Sequence, residues 1–202
     1  MSRPASDIAF TPAVKAEQEK RGSRAQYHRM EQAGGWATTV TVDLARQLAG
    51  TRSFYLGTVN GEGQPYIQHR GGPPGFLHTL DEKTLAFADL GGNRQYISTG
   101  NLTENPRAFI FVMDYARRRR VKIWGRMRVV EDDADLLARL RPATGAASAE
   151  RVFLFTIEAW DRNCPQHIPQ LLPAGEVESA IRALQARITD LELENAQLKA
   201  AR

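Results

Sequence analysis

The sequence has a single cysteine, Cys164, in 202 residues, which excludes an internal disulfide framework and any multi-cysteine metal site within the chain. A lone thiol fits a reducing compartment. Histidine is equally sparse: His28, His69, His78 and His167 show no ligand-like spacing, so no metal site is expected. No apolar run reaches the roughly 18 to 20 residues of a membrane span. The opening "MSRPASDIAF" lacks the apolar core of a signal peptide, and a cytoplasmic protein is expected. There is no CxxC and no convincing Ser-His-Asp set to carry nucleophilic catalysis. What is present is a 42% hydrophobic chain, enough for one substantial core, with a formal charge of only +4.

Much of that charge lies in Arg117-Arg118-Arg119-Arg120 and the following Lys122, Arg126 and Arg128. Such a run suits a solvated turn, a phosphate pocket or a nucleic-acid patch. The first fifty residues read as peripheral helices. Thr11 is an N-cap with Pro12 at the first helical position, and Thr41 caps a short helix closed by Gly50, with Leu44 and Leu48 on one face. Strands follow at "SFYLGTV", "QPYIQHR", "FLHTL", "TLAFAD", "AFIFVMD", "RVKIWGRMRVV" and "RVFLFTIEAW". The "NGEG" between the first two suits a tight hairpin. In "RVKIWGRMRVV", Val121, Ile123, Met127 and Val129 alternate with Arg120, Lys122, Arg126 and Arg128, the period of a half-buried strand. Short hairpins with brief intervening helices predict an α+β fold: an antiparallel, six- to seven-stranded β-barrel with peripheral helices. The expected divisions are 1–50 (helical extension packed on the barrel), 51–172 (barrel) and 173–202 (C-terminal helix).

The tail has its own pattern. Val177, Ile181, Leu184, Ile188, Leu191, Asn195 and Leu198 are spaced alternately by four and three. Ile181, Ile188 and Asn195 take heptad a positions, and Leu184, Leu191 and Leu198 take d positions. This predicts a parallel homodimeric coiled coil whose register is set by Asn195. An amphipathic helix docked on its own barrel is the alternative.

In "FADLGGNRQ" an apolar strand ends at Asp89, crosses Gly91-Gly92 and reaches Asn93-Arg94-Gln95 before a helix expected at about 95–102. Glycines allow positive φ and close approach, and a helix N-terminus presents free N–H groups, a combination suited to phosphate. Asn93 can cap that helix, and Arg94 offers a bidentate fork. Two further cationic sets, Gln68-His69-Arg70 and Arg119-Arg120-Lys122, stand at other strand ends and are expected to converge on the same ligand. A plain tight turn with a solvated arginine is the competing reading.

The run from "FADLGGNRQ" to "VKIWGRMRVVEDD", with the earlier "VNGEGQPYIQHR", resembles the pyridoxamine 5'-phosphate oxidase-like family of FMN-binding split barrels. The likeness spans about residues 52–131. "NCPQHI" at 163–168 resembles a segment of a subgroup distinct from the vitamin-pathway oxidase. The resemblance implies a homodimer with FMN at the subunit interface. Arg94 and Gln95 would lie at the FMN phosphate beside Asn93, and Gln68, His69, Ala88 and Asp89 along the flavin. Gln95 stands where the vitamin-pathway oxidases have a lysine, so Arg70, Arg119 or Arg120 would have to supply the missing charge. Arg120 occupies the place of a glutamine that reaches the cofactor from the other subunit. Gln166 and His167 would border the ring. In some relatives a deazaflavin or haem replaces FMN.

The Arg and His pair that binds substrate phosphate in the vitamin-pathway oxidase is missing, so vitamin oxidation is not expected. The leading expectation is an FMN-dependent oxidoreductase acting on a small-molecule substrate or electron donor, the flavin carrying the chemistry. The alternatives are a non-enzymatic flavin sensor signalling through its coiled coil and a nucleic-acid-binding dimer. The last is disfavoured because "PQLLPAGEVES" interrupts any basic helix ahead of the heptads.

Overall fold

Alternating apolar positions through the middle of the chain become extended strands whose inward side chains meet in one cluster. The structure, a computed structural model, describes residues 3–144, 149–163 and 165–201. Among them are β1 (Ser53–Val59), β2 (Pro65–Gly71), β3 (His78–Thr79), β4 (Thr84–Leu90), β5 (Arg107–Asp114), β6 (Arg119–Val130) and β7 (Ala149–Asn163). They join one seven-stranded sheet in the order β2-β1-β5-β6-β7-β4-β3. The pairs β1–β2, β1–β5, β3–β4, β4–β7 and β6–β7 are antiparallel, so the expected α+β architecture is present.

The main core gathers Phe54 and Leu56 of β1, Ile110 and Val112 of β5, Val121, Ile123 and Met127 of β6, and Phe153, Phe155 and Ile157 of β7. β4 is buried on both faces, which explains its unbroken apolar run. Leu85 and Phe87 join the main core, whereas Ala86 and Ala88 pack with Leu136 and Leu140 of α5 (Ala134–Thr144). The β6–β7 register shifts between Trp124 and Gly125, and a Cβ on Gly125 would lie 2.1 Å from the Thr156 carbonyl oxygen. Only glycine lets the two backbones approach so closely.

The β1–β2 connection is longer than a two-residue hairpin. Residues 60–64 form a loop in which the Asn60 Oδ1 accepts from the Glu62 and Gln64 amides, and the positive φ falls on Gly63 rather than Gly61. "FLHTL" contributes only two paired residues, because Phe76 and Leu77 fill the core from an irregular segment.

The chain divides into two compact units, Met1–Met113 with Arg120–Cys164, and Asp114–Arg119 with Pro165–Arg202. In the first, α1 (Pro12–Lys20), α2 (Arg24–Gln32) and α3 (Val42–Ala49) precede the sheet. Thr11 and Thr41 cap α1 and α3 as expected, accepting from the Val14 and Leu44 amides. Aromatic contacts tie this segment to the strands: Phe10 meets Tyr27 and Trp36, and Trp36 stacks on Trp124 at 4.6 Å. Ala37 bridges to Trp160, whose Nε1 donates to the Thr39 carbonyl at 2.7 Å.

In the second unit, the Asp114 carboxylate accepts from the Arg117 amide, and Arg118 Nε donates to the Ile168 carbonyl at 3.1 Å. The first two arginines of the run thus belong to a tied turn. The helix α6 (Ala174–Ala200) also lies here. No helix among the described residues is long and apolar enough to cross a membrane, and no cluster of metal-ligating side chains occurs among them.

Candidate active site

The β2 strand alternates in exposure, so Tyr66, Gln68 and Arg70 share one face while Ile67 and His69 take the other. The first face looks into a cleft of about 220 Å³ closed by the end of β4, the 91–96 corner and the first turn of α4 (Ile97–Glu104). Gln68, Arg70, Asp89, Asn93, Arg94 and Gln95 all line it, with Tyr66, Tyr96, Ser98, Thr99 and Glu150. The corner set and two of the three residues of the Gln68-His69-Arg70 set therefore converge.

The corner is built differently from the sequence expectation. Gly91 and Gly92 do not carry the left-handed turn, which falls on Arg94 (φ 56°) and Tyr96 (φ 53°). Each left-handed non-glycine residue costs about 1–2 kcal/mol, strain that the surrounding structure has to hold. Asn93 does not cap the helix. Its Oδ1 accepts from the Gln95 amide and its Nδ2 donates to the Gln95 side chain, both at 3.2 Å, which closes a local turn. The helix begins at Ile97 rather than about residue 95, and its N-cap Tyr96 makes no side-chain capping bond. The first amides of α4 are therefore uncapped at the cleft. Among the described residues Arg94 has no hydrogen-bond or ion-pair partner, and the whole corner from 91 to 96 is exposed.

Behind the corner lies a charge network centred on the half-buried Arg70, Asp89 and Arg151. Arg70 Nη1 donates to Asp89 Oδ1 at 2.5 Å, and Arg151 Nε lies 3.5 Å from Asp89 Oδ2. The Arg70 guanidinium sits 4.9 Å from the Phe153 ring centroid, and its Nε is buried without a hydrogen-bond partner. Arg151 also pairs with Glu150 at 2.9 Å and Glu131 at 3.1 Å, under the Tyr96 ring. Burial opposes its charge, but Glu150, Asp89 and Glu131 together hold it more firmly protonated than usual. The Ser98 hydroxyl, almost fully buried, donates to Gln68 Oε1 at 2.8 Å.

A family model described as pyridoxamine 5'-phosphate oxidase matches residues 40–164. The chain belongs to the pyridoxamine 5'-phosphate oxidase-like family. Its solved structural neighbours include HupZ of Group A Streptococcus, 18% identical with a TM-score of 0.50, covering 66% of this chain and all of that one. Another is a candidate pyridoxamine 5'-phosphate oxidase from Lactobacillus delbrueckii, 19% identical with a TM-score of 0.48, covering 62% of this chain and 95% of that one. At these identities the likeness to HupZ speaks for the split-barrel fold alone. No curated protein matches the chain.

Within this family member, several expected site residues stand away from the cleft of the single chain. Ala88 is buried against α5. His69 projects from the opposite face of β2, edge-on to Tyr55 at 5.8 Å. Arg120 lies on β6 and does not line the cleft, and neither does Lys122, which pairs with Asp161 at 2.8 Å beside the stacked Trp36 and Trp124 rings. Gln166 and His167 are exposed residues of the second unit, His167 with φ 62°. Cys164 lies outside the described residues.

Sequence reasoning missed Arg151, Ser98, Tyr96 and Glu150. The β4–β7 register sets Asp89 opposite Arg151, a pairing that no local motif announces. A second cavity of about 440 Å³ between Trp36, Tyr27 and Trp160 has its cations already matched, Lys122 by Asp161 and Arg162 by Asp43 at 2.6 Å. It is a packing seam rather than an anion site.

Proposed function

We propose that the cleft holds FMN by its phosphate and that the protein is an FMN-dependent oxidoreductase working as a homodimer. The observation that carries this reading is Arg94: a guanidinium without a partner among the described residues, on a left-handed corner, beside the uncapped amides of α4. That donor set suits a dianionic phosphate. The lysine missing at Gln95 has a replacement in Arg70, fixed by Asp89 and with one buried donor unused. Gln68, anchored through Ser98, would lie along the flavin, as the family resemblance implies. When bound, FMN supplies the hydride or electron transfer, and the residues of the chain bind and orient it.

The homodimer is supported by the size of the cleft and by the opposite sheet face. About 220 Å³ is less than the roughly 300 Å³ at which cofactor sites begin, so one chain supplies only part of a wall. On the β2–β1 face, Ile67 and Tyr55 are exposed beside His69. A second copy covering this face would bury them, and by the family resemblance Arg120 of that copy would reach the ring.

The test is titration of the purified protein with FMN, followed by flavin fluorescence. Arg94→Ala should weaken binding about ten- to a hundredfold, the loss of one charge-assisted contact of about 1.5–3 kcal/mol, with thermal stability unchanged. Equal affinity in the variant would place the phosphate elsewhere. Bleaching of the bound flavin by NAD(P)H supports the enzyme, and bleaching by dithionite alone favours the sensor reading.

A further inference from the structure

Every residue of α6 is exposed, although the helix has 27 residues and an apolar stripe along its length. Ile181, Leu184, Ile188, Leu191 and Leu198 are 42–65% exposed. A helix roughly 40 Å long that buries nothing has little reason to persist in water on propensity alone. We infer that α6 pairs with α6 of a second copy of this chain as a parallel, in-register, two-stranded coiled coil. This inference does not depend on what the cleft binds.

The partner is specified by chemistry on the helix itself. Isoleucine at Ile181 and Ile188 (a) with leucine at Leu184, Leu191 and Leu198 (d) is the combination that favours two parallel strands. Asn195, the third a position, can satisfy its amide only against an identical Asn195 across the seam. In an antiparallel pair, where a positions face d positions, it would face Leu184, leaving a buried polar group unpaired at about 1–3 kcal/mol. The flanks agree: Arg187 (g) meets Glu192 (e) of the other copy, and Glu194 (g) meets Lys199 (e), opposite charges in both layers. Glu176 in the first turn and Lys199 in the last also complement the helix dipole. Docking α6 on its own barrel would satisfy the stripe, but would leave Asn195 and the two g–e pairs without purpose.

Disulfide trapping in the full-length chain, in a Cys164→Ser background, tests the inference. Asn195→Cys places a thiol on the two-fold seam, and mild oxidation should shift the chain from monomer to covalent dimer on a non-reducing gel. Ala186→Cys, on the outward f position, should stay monomeric. Equal cross-linking in the two variants, or none in either, overturns the pairing. A mixture of Leu184→Cys and Asn195→Cys chains distinguishes the antiparallel arrangement: cross-links that form only in the mixture would overturn the parallel one. In the Asn195→Cys chain, Arg187→Glu should reduce trapping and the added Glu192→Arg should restore it. Trapping indifferent to both changes overturns the g–e register.

Discussion

The two oxygens of the Asp89 carboxylate are engaged by different arginines, Oδ1 by Arg70 and Oδ2 by Arg151. Both guanidinium groups are mostly withdrawn from water, with side chains 12% and 14% exposed. Asp89→Asn would leave two neighbouring cations facing a neutral amide. Unfolding in urea should show a loss of order 2 kcal/mol, since removing one partner of a poorly solvated pair strands the other. Anion affinity should move the opposite way, because the same change deletes a negative charge from the cleft and frees Arg70. A variant both less stable and tighter for FMN is the expected result; unchanged FMN affinity would separate the network from the ligand. Arg70, Asp89 and Arg94 were legible in the sequence because they sit at a strand end and a glycine corner, where ligands bind. Arg151 was not, because strand register is set by the whole barrel and leaves no local trace.

The eight-residue α4 has negligible capping of its own and is positioned by three ties to the β1–β2 hairpin. Ser98 donates to Gln68, Asn101 Nδ2 donates to Thr58 Oγ1 at 3.0 Å, and Glu104 accepts from the Gly61 amide at 2.6 Å. Thr58 and Asn101 are both buried. Thr58→Val keeps the shape but orphans the amide, so a loss of about 1–3 kcal/mol in denaturant unfolding is expected, with weaker FMN binding as the helix start loosens. Retention of both would mean that the helix is held by packing alone. The strands were readable to within a few residues because their alternation is strong. The helix start was not, because two left-handed residues, Arg94 and Tyr96, delay it and neither is a glycine. The hairpin loop misled for a related reason: Asn60 bonds forward to Gln64, which holds open a longer turn than Asn-Gly alone suggests.

Across the whole molecule, pH dependence begins at the His78 imidazole. Burial lowers its pKa and Arg139 repels its cation, against a bond with the Leu140 backbone that favours it. The unfolded chain therefore accepts this proton first. Stability from this group is complete above the ordinary histidine value of about 6.5 and is lost as pH falls through the lowered one. The urea midpoint should drop between about pH 7.5 and pH 5.5, and His78→Gln should drop less over that interval; an identical drop would assign the slope to other groups. A further acid limb belongs to Asp7, lowered by its bond to Lys15, and Asp81, lowered by the Lys83 amide. Both contribute above the ordinary carboxylate range of about 4 and lose that contribution as pH falls below it. At this scale the sequence showed the barrel and the heptads clearly, since each repeats a period. It did not show that the arginine turn at 114–119 and the residues from Pro165 onward form one compact unit, since their link is a few bonds between distant segments.

All three indoles of the chain lie along the path of the N-terminal segment over the strands: Trp36 lies flat on Trp124 of β6, and Trp160 of β7 is bonded to Thr39. The interior of the barrel, by contrast, is built around phenylalanine and aliphatic side chains, with Trp160 only at its margin. The protein thus carries a built-in optical gauge of one seam. Ultraviolet emission from the native chain reports whether its leading segment is seated, and α6 carries no indole of its own.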